Sequence, residues 1–326
     1  MVSISCNTYN HENYIRETLD SMLMQKTNFK YEILIHDDAS TDTTAEIIKE
    51  YKRKYPDIIK PILQVENQYS KGIKVGELNR KRALGRYIAI CEGDDYWTDE
   101  NKLQKQVDYM EANPECTFCF HNAIVVDQAK NKKTRNVIPW MPENRKFFQA
   151  KSKNYTSGEL QLLGFIPTAS FMFPKYVLDN PPKWFLDAPV GDNAIKLLAS
   201  SKGYAYYIDD VMCIYRFNVP NSATTKWKVE NNEASIRRCE RFIQMLERFN
   251  QYTNHKYDRE IQISMLTWKV QILKLTNRNK ELRSKEYNSY FDLMPLKYKI
   301  GLFLFAYFPL GFNILSNVNN VVKKYT

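Results

Sequence analysis

Glycine is scarce in this chain, with 10 residues among 326. No G-x-G-x-x-G and no G-x-x-x-x-G-K-[ST] segment occurs, so a dinucleotide fingerprint and a P-loop are both excluded. There are only four histidines, His11, His36, His121 and His255, and they show no metal-ligand spacing. Repeats and low-complexity tracts are missing, while 44% hydrophobic and 26% charged residues are ordinary for a globular protein.

Cysteine usage bears on the redox compartment. The six cysteines lie mostly inside apolar runs, and Met1 leads directly into the strand-like segment VSISC, from which we expect no leader sequence. We therefore expect a reducing, cytoplasmic compartment. Cys116 and Cys119 lack a second pair for zinc, and the alternation of Phe118 and Phe120 favours a buried strand over a metal or redox site.

Positive charge is concentrated at the C-terminal end. From residue 226 onward there are 18 Lys and Arg against 9 Asp and Glu, whereas residues 1–225 are nearly neutral in a chain of net charge +10. A basic tail indicates either nucleic acid or an anionic membrane surface as a partner. The apolar residues of this tail have the spacing of helix cores, without the pattern of a phosphate-tracking groove, so no nucleic acid partner is expected.

The last segment, 296–326, is the membrane candidate. Its strongly apolar part, Ile300 to Leu315, contains Pro309 and is shorter than the ~18 residues of a confident membrane span. We expect an amphipathic segment that lies in the bilayer interface and gives peripheral contact with the inner face of the cell membrane. The alternative is a helix packed on the core or in a dimer interface, which leaves a homo-oligomer possible. Lysines flank the apolar part at positions 297, 299, 323 and 324.

Strand and helix patterns alternate over the first hundred residues. This alternation predicts an α/β fold whose mostly parallel sheet has helices on both faces. A capping-box pattern at Thr43 and Glu46 marks the start of the second helix. We expect a nucleotide-binding and catalytic domain at 1–225, a helical extension at 226–295 and the membrane segment at 296–326. The predicted early strands are Val2 to Cys6, Tyr31 to His36, Ile59 to Val65 and Arg86 to Cys91.

Polar clusters follow three of these strands: NTYN at 7–10, DDAST at 37–41 and EGDDYW at 92–97. In a parallel sheet these clusters meet at one edge, the edge where ligands bind. Three carboxylates within four positions of the last cluster repel one another, so a positive group must share their charge. The alternative is a solvated turn that caps the next helix.

The order of these motifs, with a later GD that opens a helix, resembles the family 2 glycosyltransferases of GT-A fold that build bacterial capsular and other surface polysaccharides. The resemblance covers residues 1–217. It implies a Rossmann-like sheet and the inverting transfer of a hexosyl or N-acetylhexosaminyl group from a UDP-linked nucleotide sugar to a lipid-linked saccharide or glycan acceptor. A noncatalytic sugar-nucleotide-binding or scaffold protein of the same fold is the alternative.

The resemblance also implies a divalent metal, Mn²⁺ or Mg²⁺, which prefers hard oxygen ligands. Glu92-Gly93-Asp94 stands where the family has its D-x-D motif, so Asp94 is the implied direct ligand, and Asp95 belongs to the same donor and metal cluster. Glu92 replaces the commoner Asp. Its implied role is a contact with the sugar or ribose, or a contact with the metal through water.

For the nucleotide, the resemblance assigns Thr8 and Tyr9 to the wall around the base and Asp38 to accepting a hydrogen bond from the uracil imide. Asp37 supports that loop. An Asx turn with a helix cap explains DDASTD equally well from the residues alone. Arg80 and Arg82 are both candidates for the diphosphate, and the sequence does not choose between them.

Inversion needs a base that takes the proton of the acceptor hydroxyl. Asp192 in PVGDNAIKLL occupies the position of the family's catalytic base, and its alternative role is that of a helix N-cap. IYRFN resembles the family's Tyr-Arg segment, but Asn218 stands where relatives often have His, which leaves a second metal contact open. Tyr96, Trp97 and Trp140 either stack on sugar faces or pack in the protein.

Overall fold

The computed structural model describes residues 1–130, 132–138, 151–220, 222–293 and 296–308, with the backbone alone at 132–136, 293 and 297–298. Trp140 and the apolar residues after Phe308 lie outside this range. The strands in the described part of the chain are β1 (Val2–Thr8), β2 (Tyr31–Asp37), β3 (Ile59–Leu63), β4 (Tyr87–Ile90), β5 (Tyr96–Trp97), β6 (Cys116–Asp127), β7 (Lys132–Asn136), β8 (Lys153–Tyr155), β9 (Met172–Pro174) and β10 (Tyr204–Phe217). The α-helices there are α1 (Ile15–Leu23), α2 (Thr44–Lys54), α3 (Val75–Arg82), α4 (Lys102–Ala112), α5 (Ser157–Leu162), α6 (Lys183–Leu186), α7 (Gly191–Ser201), α8 (Ala223–Val229), α9 (Asn232–Tyr252), α10 (Asp258–Leu275), α11 (Asn288–Leu293) and α12 (Leu296–Tyr307).

All these strands belong to a single sheet, in the order β3-β2-β1-β4-β9-β6-β10-β5, with β7 added to β6 and β8 added to β10. Strands β1 to β4 run parallel, as do β6 and β10, and the short antiparallel β9 joins the two parallel groups. β1 and β2 are buried along almost their whole length because helices cover both faces of the sheet. The predicted α/β fold is therefore confirmed.

The helices bury the apolar faces that their periodicity predicts. On α1, Ile15, Leu19 and Met22 are fully buried. The predicted capping box of α2 is wrong. The Thr43 hydroxyl donates instead to a carboxylate oxygen of Glu12 over 2.7 Å, in the loop after β1. This tertiary contact takes Thr43 away from its own helix and ties the start of α2 to the site edge.

The six cysteines are free and buried. Cys116 and Cys119 lie in β6 with Phe118 and Phe120, all of them 1% exposed or less, so the C-x-x-C segment is the buried strand that the alternation predicts. Burial raises the pKa of the Cys119 thiol, which keeps it protonated and unreactive.

The basic C-terminal region is helical. Leu246 and Phe249 of α9 and Ile261 of α10 share the main core with the sheet. The Phe249 ring meets that of Trp184 edge-on at 5.3 Å between centroids, so α9 is anchored on the segment that precedes α7. A second, smaller core joins the end of α10 to α12.

Helix α12 is apolar on two sides. Leu302, Phe305 and Ala306 are buried in the second core, whereas Ile300 and Phe303 are half exposed, at 52% and 50%. Of the helices that the structure describes, none has both the length and the apolar character needed to span a bilayer.

Candidate functional site

The loops that follow β1, β2 and β4 are hydrogen-bonded to one another at the carboxyl edge of the sheet. Thr8 pairs with Asp37 in the parallel register of β1 and β2. The Asp38 amide donates to the Thr8 carbonyl over 3.0 Å, and the Gly93 amide donates to the Asn7 carbonyl over 2.9 Å. The three polar clusters of the sequence therefore form one continuous surface.

The predicted nucleotide-binding residues lie on the β1 and β2 side of this surface. The Asp38 carboxylate accepts the backbone amides of Gln68 (2.8 Å) and Tyr69 (3.0 Å), so it fixes the short 3₁₀ helix at 69–71 beside the site. The Thr8 side chain is buried, and Tyr9 beside it is partly exposed.

Asp37 makes a local turn. Its carboxylate accepts the Ser40 hydroxyl and the Ser40 amide, the latter over 3.2 Å. Burial raises the pKa of Asp37, and the hydrogen bonds from Ser40 oppose that rise. This geometry matches the Asx turn that the sequence allows, and it supports the loop that carries Asp38.

The acidic loop after β4 holds Glu92 and Asp94 partly exposed and Asp95 buried. Glu92 accepts the Asn7 amide over 3.2 Å. Burial and the neighbouring charge of Asp94 raise the pKa of Glu92 to about 8. Burial followed by Asp94 also raises the pKa of Asp95 well above its ordinary value, while Arg216 opposes that rise. Burial, and after it the charge of Asp94, thus favours the neutral forms of Glu92 and Asp95.

Arg216, near the end of β10, is a cationic residue that contacts the acidic loop. Its backbone amide donates to Asp95 Oδ1 over 2.8 Å, and its Nη1 donates to the Asp94 carbonyl over 2.7 Å. Its Nη2 pairs with the Glu17 carboxylate on α1. The guanidinium also lies 4.5 Å from the centroid of the Tyr96 ring, a cation–π contact.

Asp192 lies in the first turn of α7, after the N-cap residue Val190, so Asp192 is not the N-cap itself. Its Oδ1 accepts the Asn193 amide over 2.6 Å. Burial raises the pKa of Asp192, and this hydrogen bond and the charge of Lys196 oppose that rise. Lys196, one turn later, is buried and donates to the Gly164 carbonyl over 3.0 Å, and burial lowers its pKa to about 8.

The charge of Asp192 affects the pKa of groups in and beside the acidic loop. The charge of Asp192 contributes, after burial and Asp94, to the raised pKa of Glu92. Burial raises the pKa of the Tyr215 hydroxyl, and Asp95, Asp94 and Asp192 each add to that rise. Charges from both parts of the predicted site, 92–95 and 192, therefore contribute to the raised pKa of the same two groups, Glu92 and Tyr215.

The donor set for a divalent cation centres on Asp94. In the described part of the chain, no group of three His, Cys, Asp or Glu side chains forms a ready-made metal site. His11 Nε2 lies 3.9 Å from Asp94 Oδ2, and its Nδ1 lies 3.2 Å from the Thr8 hydroxyl. Hard oxygen donors with uncompensated negative charge fit Mn²⁺ or Mg²⁺, which keep several waters when one or two carboxylates bind them.

Asn218, which stands where relatives often have a histidine, makes hydrogen bonds away from the acidic loop. It has φ +62°, donates from Nδ2 to Asp127 Oδ1 over 2.8 Å and accepts from Lys228. These contacts tie the end of β10 to β6 and α8.

The two candidate arginines for the diphosphate are engaged within the fold. Arg80 Nη1 donates to the Leu178 carbonyl over 2.9 Å. Arg82 Nη2 donates to the Ile35 carbonyl over 3.0 Å and to Asn79 Oδ1 over 2.7 Å. In the described part of the chain, neither arginine donates a hydrogen bond to the acidic loop.

The aromatic residues after the acidic loop serve packing. Trp97 is 1% exposed and its Nε1 donates to the Ala169 carbonyl over 2.8 Å, so it does not present a face to a sugar. The Tyr96 ring lies against Arg216. The alternative that these two rings pack in the protein is therefore the one observed.

Four residues at the site were given no role from the sequence: Glu17, Lys196, His11 and Arg216, which the sequence shows only as part of the segment IYRFN. Lys196 follows Asp192 by four positions, one helical turn, which is a signal that could have been used. His11 follows the TYN motif directly, but it has no ligand spacing with another histidine. Glu17 meets a partner 199 positions later, and no local pattern reports such a pair.

Parallel strands that end in a polar edge, with carboxylates from separate loops, form the kind of edge at which α/β proteins bind their ligands. The family model described as "Glycosyl transferase family 2" matches residues 3–177. The chain belongs to this family, and the expectation of a family 2 glycosyltransferase is confirmed.

Two curated relatives illustrate the similarity. The chain is 47% identical over 133 residues to an uncharacterized protein of Mycobacterium tuberculosis, a match that covers 40% of this chain and 38% of that protein. It is 40% identical over 113 residues to the Escherichia coli UDP-Glc:alpha-D-GlcNAc-diphosphoundecaprenol beta-1,3-glucosyltransferase WfaP, covering 34% of this chain and 41% of WfaP. The chain thus spans less than half the length of either relative.

Solved structures share the fold over nearly the whole chain. S. aureus TarS 1-349 in complex with UDP-GlcNAc gives a TM-score of 0.62 at 15% identity, covering 93% of this chain and 86% of TarS. The mannosyltransferase PcManGT from Pyrobaculum calidifontis, in complex with GDP-Man and Mn2+, gives 0.52 at 16% identity, covering 94% and 87%. The expected GT-A fold is thereby confirmed.

Proposed function

We propose that this glycosyltransferase moves a hexosyl or N-acetylhexosaminyl group, with inversion, from a UDP-linked nucleotide sugar to a lipid-linked saccharide of bacterial surface polysaccharide synthesis. The observation that carries the proposal is that the loops after β1, β2 and β4 are hydrogen-bonded to one another at one edge of the sheet, in a chain of glycosyltransferase family 2. The acidic loop and the candidate nucleotide-binding residues therefore share one surface. The name of the relative WfaP, which states UDP-Glc and a diphosphoundecaprenol acceptor, supports the choice of donor and acceptor.

In this proposal, residues of the first two loops hold the nucleotide. The Asp38 carboxylate accepts a hydrogen bond from the uracil imide and still accepts the backbone amides at 68–69. Both are compatible because a carboxylate offers about four acceptor positions. Thr8 and Tyr9 wall the base, and Asp37 supports the loop through its turn to Ser40.

Asp192 acts as the general base. It removes the proton of the acceptor hydroxyl as that oxygen attacks the anomeric carbon from the face opposite the leaving nucleotide. Burial raises the pKa of Asp192, which makes its carboxylate a stronger base than an exposed aspartate. Lys196 limits that rise by its positive charge one turn away.

Asp94 is the residue that would hold Mn²⁺ or Mg²⁺, and a bound cation would neutralise charge that develops on the departing diphosphate. Glu92, whose pKa is raised to about 8 in the metal-free protein, makes a hydrogen bond with a hydroxyl of the sugar or ribose in this proposal. A cation bound at Asp94 would lower that pKa and favour the carboxylate form as acceptor. This division assigns different tasks to the two carboxyl groups of the motif.

In this proposal the C-terminal part of the chain attaches the enzyme to the membrane. We place the catalytic domain at 1–225, the helical extension at 226–295 and membrane contact at 296–326, on the cytoplasmic face of the cell membrane. The half-exposed side chains of Ile300 and Phe303 on α12 and the 18 Lys and Arg after residue 225 support contact with anionic lipid.

The test is hydrolysis and transfer over a panel of UDP, GDP and dTDP sugars with Mn²⁺ or EDTA, using crude lipid acceptors. We expect turnover of a UDP sugar only with metal, and its loss in Asp94→Ala and Asp192→Asn. Asp187→Asn is the matched control, because it removes only the exposed ion pair with Arg248. UDP binding without turnover of any donor would instead favour the noncatalytic binding protein, and activity in EDTA would exclude the role given to Asp94.

A further inference from the structure

Arg216 contacts Asp94 and the residue that follows it, Asp95. Its Nη1 fixes the carbonyl of Asp94, and its backbone amide fixes the carboxylate of the next residue, Asp95. The backbone that carries the Asp94 side chain is therefore held by one residue at the end of β10. We propose that Arg216, held by Glu17, is a positioning residue that aims Asp94 at the divalent cation, an inference that rests on the proposed function.

The charges are distributed so that Asp94 stays available. The ion pair of Arg216 is with Glu17, whereas Asp94 offers Arg216 only its backbone carbonyl. The guanidinium thus orients the Asp94 backbone while its own charge is balanced elsewhere. A cation at Asp94 would therefore meet a carboxylate that Arg216 does not pair with in the described part of the chain.

The contacts of Arg216 with Glu17 and Asp94 depend on the planar shape of its guanidinium. The Arg216 side chain is 6% exposed and its guanidinium lies between two rings, 5.0 Å from the centroid of Tyr14 and 4.5 Å from that of Tyr96. A planar fork can stack on these rings and donate in two directions, to Glu17 and to Asp94, whereas the compact ammonium of lysine cannot reproduce both contacts.

The experiment measures UDP affinity by calorimetry with Mn²⁺ and with EDTA, and the ratio of the two affinities reports the contribution of the cation. We expect Arg216→Lys to lower this ratio by roughly tenfold, because residues that orient a metal ligand typically contribute that much. Glu17→Gln should lower it less, since a neutral hydrogen bond to Arg216 survives. In EDTA, both variants should bind UDP as the wild type does. Arg16→Gln, which breaks the exposed ion pair with Glu50 on the same helix, is the matched control.

The outcomes separate this inference from the proposed function. A wild-type ratio of one, or a ratio that Asp94→Asn leaves unchanged, would end the cation role of Asp94 and the inference with it. A normal wild-type ratio that Arg216→Lys does not lower would overturn the inference alone. Loss of UDP affinity in EDTA would show that Arg216 binds the diphosphate directly, which also overturns it. If Arg216→Lys does not fold, the Glu17→Gln variant, which changes an exposed residue, tests the inference instead. A ratio of UDP affinities with Mn²⁺ and with EDTA equal to that of the wild type would then overturn it.

Discussion

The Thr8 side chain lies so close to Gly93 that a Cβ atom at position 93 would be 2.5 Å from the Thr8 hydroxyl oxygen. The two residues can approach this closely only because glycine has no side chain. Alanine at position 93 must therefore push the acidic loop away from the end of β1. We expect Gly93→Ala to weaken UDP binding and to lower the free energy of unfolding by about 1–3 kcal/mol, the usual cost of overpacking. Titration with UDP and chemical unfolding measure the two effects.

Gly203 offers a control for this substitution. A Cβ there would lie 2.1 Å from the Glu115 carbonyl, before the start of β10 and at the other end of that strand from Arg216. Gly203→Ala should destabilise the fold to a similar extent and leave the UDP affinity of the folded protein unchanged. Wild-type UDP affinity in Gly93→Ala would show that the loops after β1 and β4 do not need this close contact.

The sequence predicts the first part of the fold well because its signals are local. β1, β2 and β4 are apolar runs followed by polar motifs, and the order of such runs determines a parallel sheet. The start of α7 beside Asp192 is readable for the same reason. These elements carry the expected site residues Thr8, Asp38, Asp94 and Asp192.

The contacts that complete the site depend on distant residues, which no local pattern reports. Arg216 meets Asp94 across 122 positions. Asp38 accepts amides 30 and 31 positions later, in a segment without a strong periodicity. The capping box at Thr43 fails because the Glu12 carboxylate, from another loop, competes for the hydroxyl. Local propensity cannot decide such competitions.

Lys102 gives a prediction for pH dependence. Its side chain is fully buried, with Nζ 4.1 Å from the centroid of the Trp97 ring, and in the described part of the chain this amine has no hydrogen-bond partner. Burial lowers the pKa of Lys102 from 10.5 to about 8. At pH 7 the buried amine is charged and destabilising, so we expect Lys102→Met to raise the free energy of unfolding by on the order of 1–3 kcal/mol.

The size of the effect changes with pH in a defined window. Between pH 8 and 10.5 the unfolded chain binds a proton at Lys102 that the folded chain has lost, so the wild type gains stability there and the advantage of Lys102→Met shrinks. Urea unfolding from pH 6 to 10 tests this. Lys105→Met on the same helix removes exposed ion pairs with Asp99 and Asp210 and should show no gain at pH 7. A constant difference over the whole range would contradict the assignment.

The carboxylate of Asp38 should control the exchange of two amides. Asp38→Ala removes the acceptors for Gln68 and Tyr69, so hydrogen exchange at 68–69 should become at least several-fold faster and UDP binding should weaken. Asp42→Ala is the control, because Asp42 accepts the Thr44 amide at the start of α2 instead. Unchanged exchange at 68–69 in Asp38→Ala would show that other contacts hold that segment.

The exposed face of α12 should determine membrane recovery. Ile300→Ser with Phe303→Ser removes two half-exposed apolar side chains without touching the second core. We expect binding to phosphatidylglycerol vesicles to fall by roughly tenfold or more, since each buried apolar side chain contributes about 1.5–3 kcal/mol. Leu84→Ser, at an exposed residue of the sheet domain, is the control for sedimentation with vesicles. Equal sedimentation of both variants would exclude this face as the membrane contact.

The 122 positions between Asp94 and Arg216 also set an order of events during synthesis. At 5–20 residues per second, roughly 6 to 24 s pass between the emergence of the acidic loop and that of its arginine. In this interval β1 to β4 can already pair, but Glu92, Asp94 and Asp95 face one another without their guanidinium. A nascent chain arrested before position 216 would therefore contain most of the sheet and an acidic loop that has not yet acquired its working shape.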